Sequence, residues 1–197
     1  MKFSTVLAAL TAMFVVATNA SAQQMYFGLQ GQVVNLNDAT IDYGPAYYPI
    51  EISFDTGFGV GAVLGQHLNE SFRVESELMY RTNEIDGATG TASVSSLAVM
   101  FNGWKDFDGG AVKPYIGGGI GFSTVFAAVD YVVDDSDTVF AYQIGGGVGF
   151  PLQQNVTLSL DYRFFGTSAP EFTDMYGDRF ETEYNSHNFG VALRFFL

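Results

Sequence analysis

The sequence predicts an all-β fold: an eight-stranded antiparallel transmembrane β-barrel with short turns at one end and long loops at the other. Three observations carry this expectation. The chain closes on a segment in which every second residue is apolar (Phe189, Val191, Leu193, Phe195 and Leu197), with Asn188, Gly190, Ala192 and Arg194 between them. Seven earlier segments repeat that alternation. The N-terminus has the pattern of an export signal. Successive side chains of a strand point to opposite faces, so each segment has one apolar face and one face that can take charge.

The segments follow in order. The first, about Met25 to Val34, places Met25, Phe27, Leu29 and Val33 together. The second, about Phe54 to Gln66, groups Phe54, Thr56, Phe58, Val60, Ala62 and Leu64. In the third, Phe72, Val74, Ser76, Leu78 and Tyr80 oppose Arg73, Glu75, Glu77, Met79 and Arg81. The fourth sets Leu97, Val99 and Phe101 against Ser96, Ala98, Met100 and Asn102. The fifth sets Ile116, Ile120 and Phe122 against Tyr115, Gly117, Gly119 and Gly121. The sixth sets Phe140, Tyr142, Ile144, Val148 and Phe150 against Ala141, Gln143, Gly145, Gly147 and Gly149. The seventh sets Val156, Leu158, Leu160, Tyr162 and Phe164 against Thr157, Ser159, Asp161, Arg163 and Phe165. Each segment is near the roughly 9–11 residues that cross a bilayer at a tilt.

Lys2, a mostly apolar run from Phe3 to Ala17, and Ala20-Ser21-Ala22 before Gln23 form a secretory signal by pattern. The expected organisation is a signal peptide over residues 1–22 and one barrel domain over residues 23–197. A membrane anchor is the alternative, but the apolar run is short for a spanning helix. No later stretch reaches the roughly 18 unbroken apolar residues of a membrane helix. A spanning structure here must therefore be a closed sheet, because lipid cannot satisfy an open edge. An exported chain without cysteine gains stability by other means than disulfides, and sheet closure is one. With 8 Lys and Arg against 21 Asp and Glu, the net charge of −13 argues against nucleic acid as a partner.

The expected short connections are near Gln66–Ser71, Asp106–Ala111 and Pro151–Asn155. The long ones are about Asn35–Ser53, Thr82–Ser93, Ser123–Thr138 and Gly166–Glu183. Such asymmetry is that of bacterial outer-membrane barrels, whose short turns face the periplasm.

Charge decides which face meets lipid. Arg73, Arg81, Arg163 and Arg194 lie on the polar faces with Glu75, Glu77 and Asp161, and the central apolar faces carry no charge. An arginine facing lipid at the midplane costs about 2–4 kcal/mol, so the apolar faces point outward. The lumen of an eight-stranded barrel is only wide enough for side chains to fill. The arginines and carboxylates, with Asn102, Gln143, Gln30 and Gln32, are therefore expected to form a cross-barrel polar network that plugs it. Inward glycines of the second, fifth and sixth strands make room for large side chains. The runs Ile116–Phe122 and Ile144–Phe150 are a near-repeat of strand glycines; no P-loop Lys-Ser/Thr follows them.

The strand Lys113-Pro114-Tyr115-Ile116-Gly117-Gly118-Gly119-Ile120-Gly121 resembles a glycine-rich strand of small OmpA-like and opacity-type outer-membrane barrels. Phe72-Arg73-Val74-Glu75-Ser76-Glu77 is similar to their third strand, Asp161-Tyr162-Arg163-Phe164 to their penultimate strand, and Ser186 to Phe195 to their closing strand. The resemblance spans Met25–Leu197. It implies a cell outer-membrane location, contact with membrane lipids and lipopolysaccharide, and insertion by the barrel-assembly machinery, which reads the closing apolar phase Phe189, Val191, Leu193, Phe195 and Leu197. The family usually ends on Phe, whereas Leu197 ends this chain. No peptidoglycan-binding domain is expected after the barrel.

Catalysis finds little support. Lipid A deacylases of the outer membrane use a Ser-His pair on a barrel wall, and Ser186-His187 is adjacent in sequence; neighbours on a strand face opposite ways, which is poor geometry for nucleophile and base. The expectation is a non-enzyme without cofactor. The acidic loops raise Ca²⁺ binding by Asp130, Asp134, Asp135 and Asp137, or by the carboxylates Glu171, Asp174, Asp178, Glu181 and Glu183, but the spacing is not that of an EF-hand, and solvated acidic loops are commoner. Tyr43, Tyr47, Tyr48, Phe172 and Tyr176 either form an adhesive surface for a ligand at the loops, or merely pack the loops or mark the upper aromatic girdle. The expected function is structural or surface-interacting, as a monomer. A narrow channel for small or apolar solutes is the alternative, and a lipid-modifying enzyme is third.

Overall fold

The structure, a computed structural model, describes residues 25–41, 50–88, 90, 92–130 and 133–197. The segment expected to be a signal, and Tyr43, Tyr47 and Tyr48, lie outside them. Twelve strands are present among the described residues: β1 Met25–Leu36, β2 Ala39–Ile41, β3 Ile50–Ile52, β4 Gly57–His67, β5 Phe72–Glu84, β6 Ala92–Asp106, β7 Lys113–Val129, β8 Val133–Gln153, β9 Val156–Thr167, β10 Glu171–Thr173, β11 Arg179–Glu181 and β12 Asn185–Phe196.

Eight of these close into one antiparallel barrel in the order β1-β12-β9-β8-β7-β6-β5-β4. Closure is made by β1, which pairs with β12 from Tyr26↔Phe196 to Leu36↔Ser186 and with β4 from Met25↔Gln66 to Val34↔Gly57. Every wall strand thus has two partners, and no row of backbone donors and acceptors faces lipid. Phe27, Leu29, Phe58, Val60, Phe101, Ile120, Ile144, Phe189 and Val191 are among the large apolar side chains exposed on the outer surface. Their alternate neighbours are buried, so the wall is oily outside and largely polar within.

Strand ends depart from the sequence expectation. The second wall strand starts at Gly57, and Phe54 makes only an isolated bridge to Ile85. The expected long loop Ser123–Thr138 is mostly wall: β7 runs on to Val129 and β8 starts at Val133, with Ser123↔Val139 to Val129↔Val133 in register. At 17 and 21 residues these two strands exceed what the hydrocarbon requires, so they extend the wall beyond it, with β6 still paired to β7 as far as Ala92↔Val129. The expected turn Pro151–Asn155 is likewise shortened, because β8 continues through a register shift between Pro151 and Gln153. Two loops carry hairpins of their own, β2–β3 and β10–β11.

Close packing through the wall explains two glycines. A Cβ on Gly65 would meet the Tyr26 ring, and one on Gly117 would meet the Gly103 carbonyl and the Trp104 indole. In the second case a backbone atom obstructs, which no rotamer change relieves. Phe196, the residue that breaks the polar phase of the closing strand, turns inward against Tyr26 (ring centroids 5.3 Å apart) and His67 (5.8 Å), and stoppers the turn end.

Two outcomes follow. Gly117→Val yields no folded barrel in a refolding assay read by heat-dependent gel mobility. Deletion of Phe195–Leu197, which removes the pairs with Phe27, Tyr26 and Val156, abolishes the same mobility shift; a normal shift in the truncated chain would show that closure does not need these residues.

Candidate functional site

The candidate site is the barrel interior, which has two storeys. The lower, toward the short turns, is ionic. Arg73 lies between Glu75, to which its Nη1 donates, and Asp106, which accepts from its Nε at 3.1 and 3.0 Å. Glu75 also accepts from the Tyr26 hydroxyl at 2.5 Å and from the Trp104 indole N–H at 2.7 Å. Above it, Glu77 Oε2 accepts from Arg163 Nη1 at 2.5 Å, Asn102 Nδ2 at 3.1 Å and Gln143 Nε2 at 3.3 Å. Gln143 also donates to Asn102 Oδ1 at 2.7 Å. Arg163 is bidentate on Asp161 at 3.2 Å to each oxygen, and its Nη2 reaches Gln30 at 3.1 Å. The Tyr115 hydroxyl donates to Asp161 at 3.0 Å. These residues come from β1, β5, β6, β7, β8 and β9, so the bonds cross the lumen rather than follow its wall.

All nine residues singled out from sequence, Arg73, Glu75, Glu77, Arg81, Asn102, Gln143, Asp161, Arg163 and Arg194, face inward. They do not form one uniform network. Arg73 and Arg163 each hold two carboxylates. Arg194 makes no ion pair among the described residues: it donates to Ser159 Oγ at 2.7 Å and stacks near Tyr115 (5.5 Å) and Tyr26 (5.7 Å). Arg81 is the least paired, with the nearest Glu77 oxygen at 3.9 Å and its guanidinium 4.0 Å from the Phe165 ring centre. Tyr26, Trp104, Tyr115 and Asp106 are further members that charge patterning did not select. Trp104 and Tyr115 meet edge to face at 5.5 Å, with Arg73 close to both rings. Their inward phase was the available signal: Trp104 is two residues from Asn102, and Tyr26 alternates with Phe27.

The upper storey is apolar. Leu36, Val125, Ala127, Val133, Phe165, Phe172, Phe180 and Tyr184 form a buried cluster at the loop end. Phe172 and Phe180 reach it from the β10–β11 hairpin, which folds over the mouth. Asp135 and Asp137 on the β8 extension hold that hairpin by accepting the backbone N–H of Thr173 at 2.9 Å and of Glu171 at 3.1 Å. A cavity of about 220 Å³ remains beneath, lined by Leu36, Phe54, Val94, Val125, Phe172, Phe180 and Tyr184 among others. Burial pushes the Tyr184 hydroxyl above the usual phenol range, against the pull of the nearby Arg81 charge.

The loop acids do other work than sequence raised for them. Asp135 and Asp137 dock a hairpin, and Asp134 lies on the opposite, exposed face of β8. Asp174 closes its own turn, accepting from the N–H of Tyr176 and of Asp178, and Glu171 pairs with Arg179 at 3.1 Å. Among the described residues no three acidic, His or Cys side chains converge on one point. Phe172 is buried in the cap and is not a surface aromatic, whereas Tyr176 is 83% exposed. Ser186 is fully buried and lies 3.4 Å from Asn188 Oδ1; His187 faces outward beside the Tyr162 hydroxyl at 2.7 Å. The two side chains are on opposite sides of the wall. Of the closing apolar phase, Phe189, Val191 and Leu193 face the outside of the wall, Phe195 is half-buried, and Leu197 lies beyond the last pair.

The model of the outer membrane protein β-barrel domain matches residues 5–195. The chain belongs to this family. Its location is the cell outer membrane. No curated protein matches the sequence. Solved barrels share its fold at low identity. Neisserial surface protein A superposes with a TM-score of 0.62 at 16% identity, covering 91% of this chain and 99% of that one. OprG from Pseudomonas aeruginosa gives 0.62 at 13%, covering 88% and 97%. The outer membrane protease OmpT from Escherichia coli gives 0.52 at 6%, covering 91% and 99%. A protease among these neighbours means that the architecture alone does not decide catalysis.

Glu77 is the point at which the ionic storey can be broken most directly. Glu77→Ala strips Arg163 of its shortest contact and leaves Arg81 without a carboxylate nearby. Breaking a buried pair in this way costs about 3–5 kcal/mol. Urea unfolding in lipid vesicles, followed by the fluorescence of the single tryptophan Trp104, measures it; a loss below about 1 kcal/mol, the scale of an exposed pair, would show that the network is not structurally important.

Proposed function

We propose that this outer-membrane barrel is a closed, non-enzymatic surface protein, with a structural or contact role and no through-passage for ions. The carrying observation is the succession of buried layers across the lumen: Glu75 with Arg73, Tyr26 and Trp104; then Glu77 with Arg163, Asn102 and Gln143; then Arg81 against Phe165. Each spans the interior, and each holds residues at most 4% exposed. A narrow channel for small or apolar solutes draws support from the apolar mouth cavity but from none of the buried layers below. In this reading residues 1–22 direct export, the apolar phase ending at Leu197 is read during assembly, and the mature barrel stands as a monomer among membrane lipids and lipopolysaccharide. The β10–β11 tip, with Met175 and Tyr176 exposed, is the part best placed to meet a surface ligand.

Planar bilayers containing the purified barrel are expected to show no discrete conductance steps. Reproducible steps of nanosiemens size, scaling with salt, would overturn the closed reading in favour of the channel.

A further inference from the structure

The apolar cavity at the loop end is enclosed by separate parts of the chain. Its walls come from the upper ends of β1, β6, β7 and β8 and from the bridge Phe54↔Ile85. The β10–β11 hairpin closes it through Phe172 and Phe180, whose ring centres stand 5.8 Å apart. Where the strands could fill the space they carry alanine: Ala92 of β6 and Ala127 of β7 both line it, and each is at most 9% exposed. Protein interiors hold few voids larger than a water molecule, and an unfilled one weakens the fold around it. A space of about 220 Å³ in so small a barrel therefore calls for an occupant.

The lining decides what that occupant is. Of the described lining residues only Thr182, Glu183 and Tyr184 carry a polar side-chain group. The Tyr184 hydroxyl is hydrogen-bonded with Ser96. Glu183 is exposed to solvent and accepts from Asn185 Nδ2 at 3.1 Å. A buried water needs about two to four polar partners, which such walls do not supply. An ionic group would lose its hydration there without gaining a paired charge, and an anion would meet Glu183 as well. We infer that the cavity is a binding site for a small, uncharged, apolar molecule of the size of one alkylated aromatic ring. An apolar cavity of about 150 Å³ holds benzene. By that scale 220 Å³ takes roughly nine carbon atoms. Phe54, Phe172 and Phe180 offer ring faces and edges that suit an aromatic guest. The buried ionic layers lie on the turn side of this cavity, so the inference stands whether or not the lumen conducts.

The test is a toluene titration of the barrel in lipid nanodiscs, followed by the NMR signals of labelled alanine and valine methyl groups. The methyls of Ala92, Val125 and Ala127, which line the cavity, are expected to shift along a saturating curve. Val60 and Val191, exposed on the outer wall, report toluene dissolved in the lipid and shift without saturating. Benzoate and benzylammonium, the same ring with a charge, bind at least about tenfold more weakly. Ala127→Phe fills the cavity and abolishes the saturating response. Ala92→Leu is the milder filling variant, weakens toluene several-fold, and decides the matter should Ala127→Phe fail to give the heat-dependent mobility shift of a folded barrel. Cavity methyls that shift only in proportion to the outer ones, a charged analogue binding as tightly as toluene, or unchanged binding in the folded filling variants would overturn the inference. The conductance measurement reports on the closed reading separately.

Discussion

Everything in this molecule follows from closing a sheet in a solvent that cannot hydrogen-bond. The β1–β12 and β1–β4 pairings leave no strand edge, and the hydrocarbon outside then dictates one face of every strand. The opposite face is confined to a lumen about as wide as two side chains. Polar residues that cannot go outward must find one another inside it. Residue size is then a matter of complementarity across the wall. Glycines fill the inward rows of β7 and β8 where Trp104, Asn102, Tyr115 and Arg163 need the space.

An ionic interior is not the cheapest way to fill such a space, since desolvating charges consumes most of what their pairing returns. Its value lies in specifying phase. A strand that slips by one residue exchanges its faces. Were the lumen as apolar as the wall, the two phases would differ little in energy. With Arg73, Glu75, Glu77 and Arg81 alternating along β5, a slip would push four charges into lipid. At about 2–4 kcal/mol for an arginine near the midplane, that penalty is comparable with the whole stability of a small domain. The charges therefore select the register that the turns alone leave underdetermined.

Much of this is legible in the chain because period two and charge segregation are strong signals. The eight wall strands, their order and the outward face all follow from residues such as Phe72–Arg81. What the sequence hides is of two kinds. Tyr26, Trp104 and Tyr115 belong to the lumen, yet aromatic side chains suit either face of a barrel wall, and only their phase separates them. The extension of β7 and β8 beyond Ser123 reads as a loop because Asp134, Asp135 and Asp137 look like solvent-facing acids; a strand outside the membrane has no need of an apolar face. The cap was visible in principle: Glu171-Phe172-Thr173 and Arg179-Phe180-Glu181 are polar-apolar-polar triplets flanking the Asp174–Asp178 turn, the pattern of a small hairpin with one buried face.

That hairpin changes what the loops are. A freely moving loop pays an ordering cost when it meets a partner. Here the cost is largely met in advance: Phe172 and Phe180 anchor the hairpin in the mouth, two carboxylates of β8 grip its backbone, and Asp174 closes the tip around Gly177 at a φ of +88°. Met175 and Tyr176 consequently stand out from a preformed support, not from a flexible tether. The same anchoring roofs the apolar cavity, so the surface tip and the cavity are parts of one packed unit. A change that loosens Phe172 or Phe180 therefore acts on both. The coupling needs no pathway beyond the hairpin itself, because the two rings and the tip belong to one short, hydrogen-bonded element.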